Sequence, residues 1–120
     1  MLAPLVKDMT IVVRPQQRAA ARRPQVLEVC AASTLKFIDL YPPYKGRGPK
    51  PARARRRILD ALVERKLLAL PERELRRILV ENSGGDALDA VIGAIAALRA
   101  DLDTPPDAFQ RLEGRVYFEV

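Results

Sequence analysis

Apolar residues recur at helical spacing over most of the chain and at strand spacing in only two short stretches. Leu2, Leu5, Val6, Met9, Val12 and Val13 fall three and four apart and predict a first helix, with Pro4 in its opening turn. The β-branched run Thr10-Ile11-Val12-Val13 leaves a strand open for the second half of that segment. Pro15 to Pro24 is polar and basic and reads as a connector. Gln25 to Cys30 is a short apolar run after a proline, the pattern of a buried strand, and Glu28 is its one charged residue. Ala31 to Leu40 predicts a short helix on Leu35, Phe37 and Ile38. Tyr41 to Pro51 holds four prolines and two glycines in eleven residues and predicts a loop. Ala52 to Leu70 predicts a helix with Ile58, Leu59, Leu62, Val63 and Leu67 as its stripe. Pro71 opens a further short helix whose Leu75, Ile78 and Leu79 are expected inside. After the break Asn82-Ser83-Gly84-Gly85, a buried helix is expected up to Ala100. Asp101 to Asp107 is a loop, and Arg115 to Val120 alternates as a closing strand.

Helix, strand, four helices and a strand make an α/β pattern. Two strands are a marginal sheet on their own, so the chain is expected to supply part of a larger one. Its 120 residues suit a single domain, 1–120. No apolar run is long enough to cross a bilayer. Lys7 and Asp8 interrupt the N-terminus before a secretory apolar core forms, which makes a cytoplasmic location the expectation.

Composition narrows the chemistry. The chain has no histidine and one cysteine, Cys30, which excludes a histidine-based triad, an internal disulfide and an ordinary zinc site. Cys30 is expected to be a buried small hydrophobe. A carboxylate site would suit Mg²⁺ or Mn²⁺. The net charge of +6 favours a polyanionic partner, nucleic acid first, although an arginine-rich composition alone accounts for it equally well. Tyr44 to Arg57 carries Lys45, Arg47, Lys50, Arg53, Arg55, Arg56 and Arg57 and no acid. Such a segment suits phosphate contacts, with Tyr41 and Tyr44 to stack on bases. A solvated helix face after a loop explains the same charges.

On the helix from Asp86, a turn of about 100° per residue puts Leu88, Val91, Ile92, Ile95 and Leu98 on one face. Asp86, Asp89, Gly93 and Ala97 share another. The two aspartates are neighbours and repel unless a metal ion or a cationic group sits between them. Ser83-x-x-Asp86 also has the form of a capping box, and acids in a first turn are favoured by the helix dipole. Glu28 in an apolar strand is costly unless it is paired, bound to a cation or at a wet edge. Glu28 with Asp86 and Asp89 is the beginning of a carboxylate cage for a divalent cation.

From about Gln25 to the end, the chain resembles the C-terminal part of a family of predicted RNase-H-like nucleases, filed as a domain of unknown function. The strand motif is Glu28-Val29-Cys30-Ala31-Ala32, followed by Tyr44-Lys45 and an arginine-bearing helix from Ala52. Asp86-Ala87-Leu88-Asp89-Ala90 through Ala94 matches the family's D-x-x-D-A-x-x-x-A, and Glu113-Gly114-Arg115-Val116-Tyr117 its closing motif. Cys30 and Ala31 stand where the family has an aromatic or histidine and a proline, and Gly85 where it often has histidine. The resemblance implies a partial RNase-H-like fold and metal-dependent phosphodiester hydrolysis, with Glu28 and Asp86 or Asp89 as ligands of Mg²⁺ or Mn²⁺ and nucleic acid as partner. That fold begins with a three-stranded meander bearing an essential aspartate, which nothing before Gln25 supplies. The chain therefore reads as a truncated form, or one whose first half is encoded elsewhere, with a missing N-terminal half or a second copy as a further partner. The alternative function is a non-catalytic module that binds nucleic acid or an acidic partner through Tyr44, Lys45, Arg47, Lys50, Arg53 and Arg56.

Overall fold

Helices α3 (Pro49–Glu64) and α5 (Asp86–Arg99) build the core, and the rest of the chain is arranged around them. The computed structural model describes residues 2–8, 10–17 and 22–120. Met9 of the expected first helix and residues 18–21 of the connector lie outside these residues. In chain order the other elements are α1 (Leu2–Lys7), β1 (Val12–Val13), β2 (Gln25–Val26), β3 (Glu28–Val29), α2 (Ala31–Phe37), α4 (Arg73–Glu81), α6 (Ala108–Glu113) and β4 (Val116–Tyr117).

α3 starts at Pro49, earlier than expected, because a proline in the first turn needs no helical N–H partner. It ends at Glu64, where Lys66 takes a positive φ of 58° and the backbone N–H groups of Leu67 and Leu68 fold back on the Leu62 carbonyl. Leu67 thus still covers the core, from a turn instead of a helix. The stripe of α3 packs with α2 and α5 in one cluster: Leu35, Leu40, Tyr44, Ile58, Leu62, Leu88, Ile92 and Ile95 are all buried. Leu59, Leu79 and Val80 form a second cluster between α3 and α4. Three inward positions are corrected. Leu75 and Ile78 stay half-exposed because α4 buries only its Leu79–Val80 edge, and Leu98 projects into solvent near the end of α5.

The strands are short, and each pair is parallel. The expected first helix stops at Lys7, and Val12 and Val13 form β1 beside β2, with Val12 fully buried. The β-branched character of that run prevails over its helical spacing. Gln25 to Cys30 is not one strand: it breaks at Leu27, and β2 pairs with β1 while β3 pairs with β4. The closing strand shrinks to Val116–Tyr117. α6 lies in a stretch where no helix was expected. It is closed by a capping box in which Asp107 Oδ1 accepts from the Gln110 N–H at 2.7 Å and Gln110 Oε1 accepts from the Asp107 N–H at 3.2 Å. The chain is thus of mixed helix–strand class, helix-rich with few strands. Among the described residues no helix is long and apolar enough to cross a membrane.

Candidate functional site

The proline-rich segment before α3 is fixed from three sides. Gly46 donates its N–H to the Ser83 carbonyl at 2.7 Å, which ties the loop to the break before α5. Arg55, on the buried side of α3 and 2% exposed, donates to the carbonyls of Val80 (2.7 Å), Tyr44 (2.6 Å) and Gly46 (3.1 Å). Arg55 makes no ion pair among the described residues, so carbonyl dipoles alone compensate its charge. It is therefore a buried clamp and not part of the exposed basic face. The sequence holds the signal for this: Arg55 precedes Ile58, Leu59 and Leu62 by three, four and seven, on their own stripe.

α5 begins at Gly85, which takes a left-handed φ of 79° as the N-cap. A Cβ here would lie 3.1 Å from Tyr44 Cε2 and 3.2 Å from Lys45 Cγ, so a glycine lets the loop close on the helix. One turn on, the Asp89 carboxylate is held by both loop residues. Tyr44 donates its hydroxyl to Oδ1 at 2.5 Å, and Lys45 Nζ lies 2.6 Å from Oδ2. Lys45 also feels the charge of Asp86, so a cationic group stands beside the aspartate pair. Ser83 does not cap the helix. Gly85 occupies the cap position, and Asn82 Oδ1 accepts from the Ala87 N–H at 3.3 Å instead.

Burial, and then the hydrogen bond to Asp89, push the Tyr44 phenol well above the ordinary tyrosine range. The same carboxylate raises Lys45. Both shifts have one sign: the protonated forms are favoured in the folded chain, so their contribution is full at neutral pH and is lost as pH rises above about 10. Thermal melts at increasing alkaline pH should therefore show wild type losing stability faster than Tyr44→Phe. Parallel losses would contradict this.

Glu28 lies elsewhere. Val29 faces α5, its Cγ2 standing 3.2 Å from where a Cβ on Gly93 would be. Side chains alternate along a strand, so Glu28 points to the other side. There its Oε2 is 3.9 Å from a Cβ built on Gly114, beside Gln16. It is exposed, which is the wet-edge alternative and not a carboxylate buried in the strand. Among the described residues no group of three or more His, Cys, Asp or Glu side chains could hold a metal ion. Glu28, Asp86 and Asp89 in this arrangement do not fit Mg²⁺ or Mn²⁺: Glu28 faces away, Asp86 is exposed, and both oxygens of Asp89 are engaged.

Of the expected nucleic-acid contacts, Tyr44 is corrected: it is 3% exposed, with its hydroxyl committed to Asp89, and has no face for a base. Arg47, Lys50, Arg53, Arg56 and Arg57 are exposed and make no ion pair among the described residues. Arg53, Arg56, Arg57 and Arg65 line one groove with Leu40, and Asp60 and Glu64 stand on it too, Asp60 being paired with Arg76. Arg56 also lines a second groove, between α3 and α4, with Arg73, Arg76 and Arg77, a row the sequence reading missed although the Arg73-x-x-Arg76-Arg77 spacing offers it. Arg76 is paired with Asp60, and Arg77 with Glu74 and Glu81. Cys30 is half-buried ahead of α2, and the Ser33 hydroxyl lowers its thiol pKa. Compared with known proteins, the chain matches no family model, no curated protein and no solved structure.

Proposed function

We propose that the chain binds the phosphate backbone of nucleic acid through the α3 face, with Arg47, Lys50, Arg53, Arg56 and Arg57 as contacts and Lys45 at its margin. One observation carries this reading: these arginines and Lys50 are exposed without acidic partners, in a chain of net charge +6. Unpaired surface cations release counterions from a polyanion at no loss of internal ion pairs. Fluorescence anisotropy with a labelled oligonucleotide tests it. With about four phosphates contacted, log K should fall with log salt at a slope of roughly −3. Arg53→Glu with Arg56→Glu should weaken binding more than about tenfold and flatten that slope. Binding indifferent to salt would sink the reading.

A second reading is the metal-dependent RNase-H-like nuclease of the motif order. It is favoured by Asp89 lying one turn from Gly93, on the helix side that packs on β3. The placement of Glu28 and the engaged Asp89 oxygens weigh against it. The same oligonucleotide separates the two: binding that survives Asp89→Asn supports the first, and Mg²⁺-dependent cleavage abolished by Asp89→Asn would replace it with the second.

A further inference from the structure

We infer that the nucleic acid this face takes is single-stranded, with an unpaired base stacked on Tyr41; the inference rests on the phosphate-binding reading above. Tyr41 and Phe37 are 50% and 52% exposed, in a chain with only 5% aromatic residues. Tyr41 is also held in place. Pro42 and Pro43 follow it and restrict its backbone. Its ring meets Tyr44 edge to face, with centroids 6.3 Å apart. Tyr44 is anchored in turn by Asp89 through its hydroxyl and by Arg55 through its carbonyl.

A cation lies over the ring. Lys36 Nζ lies 5.0 Å from the Tyr41 centroid and is exposed, so it can exchange the ring for a phosphate. The preceding residue, Leu40, lines the groove of Arg53, Arg56 and Arg57. An aromatic platform thus adjoins a groove whose arginines outnumber its two acids, Asp60 and Glu64. That pairing serves a strand whose bases have free faces; in a duplex those faces are already stacked on one another. A backbone-only ligand would have no use for the ring.

Anisotropy competition with three probes tests this: a short single-stranded oligothymidylate, a duplex of equal phosphate count, and inorganic polyphosphate. The single strand should bind about tenfold tighter than the duplex. Tyr41→Ala should weaken the single strand about tenfold and leave polyphosphate unchanged, while Tyr41→Phe retains wild-type binding. Equal binding of strand and duplex, or an equal loss on strand and polyphosphate in Tyr41→Ala, overturns the inference and leaves phosphate binding standing. No binding to any probe by protein that melts cooperatively overturns both.

Discussion

Replacing Arg55 by leucine is expected to destabilise the fold by about 3 kcal/mol, the largest effect of any single change on the basic segment. Leucine matches the apolar stripe of α3, so a pattern-based view would rate the change as harmless or stabilising. The geometry says otherwise. Arg55 is the donor to three carbonyls, those of Val80, Tyr44 and Gly46. Each buried carbonyl left without a donor costs about 1–3 kcal/mol, and that of Gly46, on an exposed loop, regains water. The guanidinium also returns to water in the unfolded chain, which reduces the loss. A thermal melt should shift down by about 10 °C. Arg55→Lys should fall between, since a single ammonium cannot reproduce the planar fork that reaches two segments at once. A melting temperature within about 2 °C of wild type for the leucine variant would refute the clamp. By contrast, Arg53, Arg56 and Arg57 should tolerate neutral substitution, because nothing in the fold depends on their donors.

These four arginines show what was legible in the sequence and what was not. Composition treats them alike; position on the helix separates them. Arg55 shares the stripe of Ile58, Leu59 and Leu62, and reading the charge run as one patch hides that. The long helices were legible because eight or more residues of apolar spacing accumulate a strong signal. The strands were not, because two residues per strand carry no period, and pairing to β1 and β4 is set by tertiary contacts. α6 was legible in principle, from Asp107-x-x-Gln110, but it buries no residue and so leaves no apolar stripe. In the candidate site, Asp89 and the Tyr44–Lys45 pair were each singled out, yet their junction across 45 residues is a fact of packing. For Glu28 the sequence leaves both a cation-bound carboxylate and a wet strand edge open, and only tertiary placement decides: a two-residue strand at a sheet edge can show one side to water even when its neighbours are apolar.

Gly85→His is expected to destabilise the chain by about 2 kcal/mol and to part Tyr44 from Asp89. Two terms contribute. A side chain at φ 79° pays a left-handed backbone cost of about 1 kcal/mol, moderated because histidine tolerates that region better than most residues. The new Cβ would then stand 3.1 Å from Tyr44 Cε2 and 3.2 Å from Lys45 Cγ. Lys45 is exposed and can swing aside; Tyr44 cannot move without giving up Asp89. Gly85→Ala carries both terms without the imidazole, so it should show most of the same loss. If the ring of Tyr44 is displaced, its phenol loses both its burial and its carboxylate acceptor, the two largest causes of its raised pKa. Tyrosinate absorbance during an alkaline titration should then show a group in the histidine variant returning to about 10, where wild type holds it higher. A variant that melts like wild type with an unchanged titration would mean the loop has room for a side chain there. Glycine at position 85 would then be incidental to how Tyr44 and Lys45 are seated on Asp89. If both shifts occur, Gly85 is what permits the seating of Tyr44 and Lys45 on Asp89.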